Sequence, residues 1–347
     1  MLRPRTLRLL LLSLVAGALL GCAKPDLIVY CALDQIHAED LIRRFEDETG
    51  LNVRVEFDSE ANKTIGLVGK LREERSRTRC DVFWNNEIAH TVALADEGLL
   101  APYDSPSAAT IPEAFRDRER RWTGFAARAR VFIVNTELAD PAQVRTMGDL
   151  LAPQWKGKVG MARPLTGTTL THMVALYGVL GEARAEEYLG AVKAANQRGE
   201  LDLTAGNAMV MRKVRDGELA WGWTDTDDYY VAKEGGYPVD VVYPDQVGVD
   251  GAPPLGTLVV PNTLALLAGA PHPEAGKRFI DWVLSPAVEA ELAASRTMQI
   301  PVRPEVPRPA HVPRFGEGGL KAMEVDFRAV GADMSARQQH LKELFVE

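Results

Sequence analysis

The chain has 347 residues, a formal net charge of −8 at pH 7 and a hydrophobic content of 46%. The acidic balance excludes nucleic-acid binding as a main function, because nucleic-acid-binding domains present a basic surface. The hydrophobic content is sufficient for packed cores, and the length favours two domains or lobes over one.

The first 21 residues have the pattern of an export signal. Arg3, Arg5 and Arg8 form a positive region, and an acid-free apolar run follows over 9–20. The run is too short to span a bilayer together with its flanks, which is typical of a cleaved secretory signal. Cleavage would leave 326 residues. Because the signal contains three arginines and no acid, the net charge would become −11.

The signal ends in Leu-Leu-Gly-Cys at 19–22, which resembles the bacterial lipobox. The resemblance implies cleavage before Cys22, lipidation of its thiol and a short anchored segment over 22–25. We therefore expect a protein tethered to a membrane in the periplasm or cell envelope. The alternative is a plain secretory signal whose cysteine is incidental. No later apolar stretch is long enough to cross a membrane.

Two further cysteines, Cys31 and Cys80, remain after the signal. Outside the cytoplasm such a pair is a candidate disulfide. The alternative is two small buried thiols that pack like apolar side chains. Sequence spacing does not establish the geometry that a disulfide requires, so both interpretations stay open.

Strand and helix patterns alternate over the first hundred residues. Hydrophobic periodicity predicts strands at 27–30, 53–57 and 81–84 and helices at 34–49, 62–77 and 87–96. This alternation favours a parallel sheet with helices on both faces.

A second run of the same kind follows. It contains predicted strands at 130–135, 158–161, 219–223, 239–242 and 257–261, and predicted helices at 169–180, 183–197, 273–284, 286–294 and 327–345. The proline-rich stretch 301–313 predicts an extended strap. Two α/β units joined by strand-like crossovers fit a hinged pair of lobes. Ligands of such sheets bind at the carboxyl ends of strands, which here means just after Tyr30, Trp84, Met161 and Trp223.

Three segments at those strand ends carry a family resemblance. VYCALD at 29–34, DVFWNNE at 81–87 and TDTDDYY at 224–230 resemble the periplasmic ferric-ion-binding proteins, which are type II solute-binding proteins of ABC importers. Segments 124–136 and 164–169 are also similar. The resemblance implies a two-lobed α/β fold with a ligand cleft, a monomer, a permease partner in the inner membrane and no enzymatic activity. Lobe 1 would contain 26–127 and 259–309, and lobe 2 would contain 128–258 and 310–347.

The same resemblance implies ferric iron, Fe(3+), as cargo, with Tyr229 and Tyr230 as paired ligands. Ferric iron is a hard cation that prefers anionic oxygen, and a bound cation lowers the pKa of a phenol. Neighbouring residues on a strand point to opposite faces, so both phenols reach one metal only from a loop or a helix start. Asp225 and Asp227 are good helix caps, which makes a helix start plausible here. The alternative is one packed aromatic side chain and one surface residue.

Carboxylates near the first strands could complete the metal site. Glu87 matches a carboxylate ligand of the family, and its alternative role is an acid in the first turn of a helix. Asp34 stands where many family members have a ligand histidine, so it could bind iron directly, bind through water or cap a helix. His37 is a backup ligand. Tyr30 is a further alternative ligand, although core packing is favoured for it.

An anion would complete the coordination of the metal. In the family an arginine near the hinge helps to hold a synergistic anion, for which carbonate and phosphate are candidates, and Arg128 and Arg130 occupy this place. The amino end of the following helix offers free N–H groups to an anion. That turn contains Thr166, Gly167, Thr168 and Thr169. The alternative is a capped helix with surface arginines. Asp225, Asp227 and Asp228 could bind the metal, cap a helix or hydrogen-bond a ligand.

Other functions compete with iron binding. The first is binding of an organic anion such as a phosphonate or a sugar phosphate, in which case Arg128 and the turn 166–169 would hold the ligand. An enzyme is disfavoured, because the chain has neither a Gly-x-Ser-x-Gly elbow nor a His-Glu-x-x-His helix. A lipoprotein that presents its ligand to a membrane receptor is the third alternative.

Overall fold

A computed structural model of the chain describes residues 24–33, 35–58, 64–248, 251–315 and 318–346. The predicted signal, Cys22 and Asp34 lie outside these ranges, and so does the side chain of His37. The predictions made for these residues therefore stay predictions.

Ten strands within the described ranges form one sheet. They are β1 (Leu27–Cys31), β2 (Val53–Phe57), β3 (Val82–Asn85), β4 (Leu100–Ala101), β5 (Thr123–Asn135), β6 (Val159–Ala162), β7 (Asp202–Thr204), β8 (Trp221–Asp225), β9 (Val239–Val242) and β10 (Val259–Leu267). The order along the sheet is β2-β1-β3-β10-β5-β8-β6-β7, with β4 paired to β10 and β9 paired to β5.

Ten α-helices in the same ranges connect and cover the strands. They are α1 (Gln35–Thr49), α2 (Ile65–Glu73), α3 (Ala89–Asp96), α4 (Gly167–Leu180), α5 (Glu182–Gln197), α6 (Asn207–Arg215), α7 (Thr226–Glu234), α8 (Pro273–Val283), α9 (Pro286–Ala294) and α10 (Phe327–Val346). None of the helices in the described part of the chain is both long enough and apolar enough to cross a membrane.

The sheet has two halves that share the long strand β5. The first half contains β1 to β4 and β10, and residues 123–129 of β5 pair with β10 in antiparallel fashion. The second half contains β6 to β9, and residues 130–135 of β5 pair with β8 and β9. Parallel pairing of β1 with β2 and β3, and of β6 with β7 and β8, confirms the predicted α/β class.

The side chains of β1 alternate between two apolar clusters, as expected for a strand with helices on both faces. Cys31 belongs to the cluster that contains Leu27 and Val29, whereas Cys80 belongs to the cluster that contains Ile28. The two cysteines thus lie on opposite faces of the sheet. Both are buried, and no disulfide joins Cys31 to Cys80.

Two features bear on the predicted lobes. The partners of β5 change between Ala129 and Arg130, close to the predicted boundary at 127/128. The last helix, α10, packs against α3 of the first half and against α4 of the second half, although 310–347 was predicted to belong to lobe 2. Residues 301–313 form neither a helix nor a strand, as the predicted strap requires.

Candidate functional site

A polar cavity of about 290 Å³ lies where strand ends of the second half meet groups of the first half. We call it the cleft cavity. Asn86, just after β3, and Arg128, on β5, reach it from the side of the first half. Its remaining lining comes from the second half, namely Ala162, Thr166, Gly167, Thr168, Thr169, Ala205, Gly206, Asn207, Ala208, Arg212, Asp225, Asp227 and Asp228.

Three helices begin at the cleft cavity. α4 begins at Gly167, α6 at Asn207 and α7 at Thr226. Gly167 has a φ of +57°, a backbone conformation that favours glycine and lets the chain turn from Thr166 into the helix. The first turns of a helix carry unpaired N–H groups and about half a positive charge, so three amino ends make this region favourable for an anion.

Arg128 ties the cavity wall to both halves. Its Nη1 donates to Asp227 Oδ2 at 2.9 Å, and its Nη2 donates to the carbonyl oxygen of Asn86 at 2.8 Å. The side chain is 5% exposed, so this charge acts in a largely dry environment where electrostatic interactions are strong. The expectation of a surface arginine is therefore wrong for Arg128.

Arg130 does not line the cleft cavity, although it was predicted beside Arg128 as an anion ligand. It is fully buried, and its Nη1 donates to Asp225 Oδ1 at 2.8 Å. The other carboxylate oxygen of Asp225 accepts from Thr168 Oγ1 at 2.6 Å and from Asn207 Nδ2 at 3.0 Å. Arg130 thus fixes Asp225, which in turn joins the amino ends of α4 and α6.

The predicted turn 166–169 lines the cavity at all four positions. Thr169 Oγ1 donates to Asn207 Oδ1 at 3.1 Å, so the turn is also tied to α6. Asp227 and Asp228 lie beside this turn in the first turn of α7. Asp228 accepts a hydrogen bond from Thr224 Oγ1, while Asp227 pairs with Arg128. Their oxygens are the acceptors that the cavity offers beside its N–H donors.

Tyr229 and Tyr230 lie on α7, which begins directly after β8 as predicted. They do not line the cleft cavity, because Asp227 and Asp228 take the positions that face it. Both tyrosines are buried in an apolar cluster, with ring centroids 4.9 Å apart, and Tyr230 Oη donates to the carbonyl oxygen of His311 at 2.9 Å. Burial raises the pKa of Tyr229 to about 12 and also raises the pKa of Tyr230.

Glu87 is buried and fully hydrogen-bonded. Its oxygens accept from the N–H groups of Ala89 and His90, from His90 Nδ1 at 2.7 Å, from Asn85 Nδ2 at 3.1 Å and from Thr171 Oγ1 at 2.8 Å. Burial raises the pKa of Glu87, but the His90 charge and these hydrogen bonds outweigh it and lower that pKa to about 2. Glu87 lies just before α3 rather than in its first turn, and its carboxylate caps the N–H groups of the first two helical residues. The Thr171 contact joins the two halves.

Tyr30 lies away from the cleft cavity. Its hydroxyl group donates to Glu74 Oε2 at 2.9 Å, and burial raises its pKa to about 12. Core packing, the favoured prediction for Tyr30, matches this environment. Within the described residues, no group of three or more histidine, cysteine, aspartate or glutamate side chains is arranged to hold a metal ion.

Asn207 and Arg212 also line the cavity, from α6, and were not predicted. A signal for this helix was present, because Val210, Met211 and Val214 have helical spacing and form its buried face. Asn86 lies within a quoted family segment but was not singled out. Amide and guanidinium groups add donors to the cavity, so their presence strengthens its preference for an anion.

The fold and the cleft cavity define an α/β protein with a polar cavity between two halves of one sheet. The chain matches the family model described as bacterial extracellular solute-binding protein over residues 40–315 and belongs to that family. Proteins of this family are transport components rather than enzymes, and their partner is a membrane permease.

Relatives and solved structures agree with this class. The major ferric iron-binding protein of Neisseria meningitidis serogroup B is 27% identical over 306 residues, which cover 85% of this chain and 86% of that protein. Iron-bound HitA from Pseudomonas aeruginosa has a TM-score of 0.78 at 22% identity, covering 91% of this chain and 98% of that one. AfuA from Actinobacillus pleuropneumoniae, with fructose-6-phosphate bound, has a TM-score of 0.77 at 20% identity. That match covers 93% of this chain and 99% of the AfuA chain.

Proposed function

We propose that this chain captures an anionic solute in the cleft cavity and delivers it to the permease of an ABC importer. The observation that carries the proposal is the convergence of buried Arg128 with the amino ends of α4, α6 and α7 on one cavity. N–H groups at helix starts and an arginine fork are the groups that bind phosphate and carboxylate oxygens.

The charges of the cavity refine the class of solute. Asp225 pairs with Arg130 and Asp227 pairs with Arg128, and Arg212 and Asp228 also line the cavity together with the three helix ends. A bare anion would meet the donors but would also lie beside the carboxylates of Asp227 and Asp228. We therefore propose a solute with an anionic end and a second end that is cationic or donates hydrogen bonds.

Ferric iron bound together with an anion is the first cargo that meets this description. The anion would contact Arg128 and the turn 166–169, and the metal would lie on the side of the carboxylates. The ferric iron-binding relative from Neisseria meningitidis supports this choice. The ligand set predicted from the sequence, which is Tyr229, Tyr230, Glu87 and Asp34, stays a prediction. In the conformation described here, the first three do not line the cleft cavity.

An organic phosphate or phosphonate without metal is the second candidate. It is favoured by a specific observation, since the phenols of Tyr229 and Tyr230 pack in an apolar cluster and Glu87 already accepts five hydrogen bonds. The AfuA structure, which has this fold and contains fructose-6-phosphate, supports a cargo of this size. A cavity of about 290 Å³ is larger than a single metal ion needs and suits a small organic anion.

The test is calorimetric titration of the full-length chain with ferric citrate, citrate, inorganic phosphate and fructose-6-phosphate, for wild type and Arg128→Ala. We expect at least one anion to bind, and Arg128→Ala to weaken it about 30-fold, because a charged hydrogen bond in a buried site contributes about 2 kcal/mol. Arg198→Ala, an exposed change remote from the cavity, is the control. Equal affinity of wild type and Arg128→Ala for every anion would overturn the proposal.

The same titration separates the two cargoes. If ferric iron is the cargo, ferric citrate binds far more tightly than citrate, and the complex absorbs visible light when a phenolate is a ligand. If a metal-free organic anion is the cargo, iron adds nothing to the affinity and the protein stays colourless.

We also propose that Cys22 anchors the chain to a membrane near its permease.

A further inference from the structure

A second cavity lies on the second half, outside the cleft. It has a volume of about 470 Å³ and shares no lining residue with the cleft cavity. The segment 146–151 and helix α5 surround it, together with residues 245, 247, 252, 253 and 255. Its lining is mainly apolar, with Met147, Leu151 and Leu255 among the contributors. We call it the Asp245 cavity, after the one buried carboxylate among its lining residues.

Asp245 differs from the other buried carboxylates of the described chain. Each of the other five accepts at least one hydrogen bond of 2.8 Å or shorter, and these five are Asp81, Glu87, Asp117, Asp225 and Glu289. Asp245 accepts only from the N–H of Met147, at 3.4 Å to each oxygen. A bond of that length is weak, so the carboxylate retains unused acceptor capacity although the residue is only 6% exposed.

The backbone holds Asp245 firmly in this place. Its N–H donates to the carbonyl oxygen of Arg145 at 2.8 Å, and its own carbonyl oxygen accepts from Gly256 at 2.8 Å. Its φ is +60°, a conformation that costs free energy for a residue other than glycine. The fold therefore keeps a carboxylate at the cavity wall despite both the strain and the cost of burying a charge.

The charges around the cavity leave Asp245 without an opposite charge. Within the described ranges no lysine or arginine acts on the carboxylate of Asp245, and the charge of Asp149 opposes its ionisation. Burial raises the pKa of Asp245 to about 6. At the rim, exposed Arg184 and Glu187 carry opposite charges, and Tyr188 uses its hydroxyl group to donate to the carbonyl oxygen of Met147.

We propose that the Asp245 cavity binds a small organic cation, a primary ammonium or guanidinium group on an apolar body, with Asp245 as its counter-ion. The cationic group supplies the short donors that the carboxylate lacks, and the apolar body covers the side chains of Met147, Leu151 and Leu255. An anion is excluded, because Asp245 would repel it in a poorly solvated site. The cavity volume of about 470 Å³ suits a small organic ligand, since pockets that bind small molecules measure about 300–1,000 Å³.

The test uses phenethylammonium and its neutral isostere 2-phenylethanol, titrated into the full-length chain at pH 7.5 and followed by saturation-transfer NMR and calorimetry. Asp245→Asn keeps the side-chain shape, and asparagine tolerates positive φ, so the fold should survive. Exposed Asp216→Asn is the matched control. Thermal unfolding of each variant verifies that it is folded.

We expect wild type and Asp216→Asn to bind phenethylammonium at least tenfold more tightly than Asp245→Asn does. Binding of 2-phenylethanol should be the same in all three proteins. Arg128→Ala should leave phenethylammonium binding unchanged, which separates this proposal from the one on the cleft cavity. Absence of phenethylammonium binding to wild type, or equal binding to wild type and Asp245→Asn, would overturn the proposal.

Discussion

Among single residues, Glu87 links the two halves of the molecule through its contact with Thr171. Its carboxylate is surrounded by donors from α3 and α4, and its pKa of about 2 lies below the ordinary value of 4.5. A carboxyl group with a lowered pKa stabilises the folded state above pH 4.5 and loses this contribution as the pH falls towards 2. The difference corresponds to about 3 kcal/mol.

Glu87→Gln should therefore lower the free energy of unfolding by about 3 kcal/mol at pH 7, because the amide cannot replace the charge that His90 and the helix start stabilise. Between pH 4.5 and 2 the variant should lose less stability than wild type. Urea unfolding followed by tryptophan fluorescence at several pH values measures both effects. Glu305→Gln, at an exposed position, is the control. If the free energy of unfolding of wild type and of Glu87→Gln changed in parallel with pH, the pKa of Glu87 would not be lowered in the folded protein.

The residues of the candidate site were predictable where a helix start fixes them. Thr166, Gly167, Thr168 and Thr169 face the cavity, because the amino end of α4 follows directly from β6. Arg130 was predicted as an anion ligand, but its position depends on tertiary contacts that the sequence does not show. It lies two residues from Arg128 on the same strand, but it is fully buried and donates to Asp225 and Asn207, and these two residues rather than Arg130 line the cavity.

At the level of elements, the orientation of α7 decides which side chains meet a ligand. The sequence predicts that a helix begins near Asp225, and one does. It does not predict the rotation of that helix about its axis, because the contacts with β9 and the hydrogen bond from Tyr230 to His311 are tertiary. In an α-helix each successive residue is turned by about 100°, which places Tyr229 roughly opposite Asp227 on α7. The hydroxyl group of Tyr230 is instead directed to the carbonyl oxygen of His311.

Tyr229→Phe and Tyr230→Phe test this orientation. Neither change should alter the affinity for a metal-free anion by more than about twofold, because neither phenol lines the cavity. Tyr230→Phe should destabilise the protein by about 1 kcal/mol through loss of the hydrogen bond to the carbonyl oxygen of His311, whereas Tyr229→Phe should not. Calorimetry and urea unfolding measure the two quantities. A tenfold loss of anion affinity in either variant would mean that α7 is turned towards the ligand.

Most helices and strands were predictable from hydrophobic periodicity, whereas α6, β4, β7 and the first part of β5 were not predicted. The prediction of β2 at 53–57 and of β9 at 239–242 agrees with the structure at both ends. The first part of β5 was missed because Thr123–Ala129 is rich in alanine and glycine and is buried on both faces, so it shows no alternation. Strands β4 and β7 have only two and three residues, too few to show a period.

On the scale of the whole molecule, the export signal and the lipid anchor belong to the part of the chain outside the described residues. The lipobox motif at 19–22 predicts that the mature chain begins with lipidated Cys22. Cys22→Ser should shift the protein from the membrane fraction to the released envelope fraction, as judged by fractionation and immunoblotting. Metabolic labelling with a fatty acid should mark wild type only. Membrane retention of the variant at the wild-type level would contradict the anchor.

The two halves share β5 and are also connected by α10, by Arg128 and by the contact between Glu87 and Thr171. The cleft cavity lies between these connections, so a ligand held there contacts both halves. This arrangement suits a protein that must signal occupancy to a permease by changing the relative position of its halves. The central claim is accordingly that the cargo binds in the cleft cavity through its anionic end.

The most direct measurement is a crystal structure of the protein purified without chelators or competing anions, with diffraction data collected on both sides of the iron absorption edge. We predict electron density for an anion within hydrogen-bonding distance of Arg128 and the N–H groups of 166–169. If ferric iron is the cargo, an anomalous peak should lie beside that anion. A cargo bound elsewhere, with no anion in contact with Arg128 or the turn 166–169, would contradict the account.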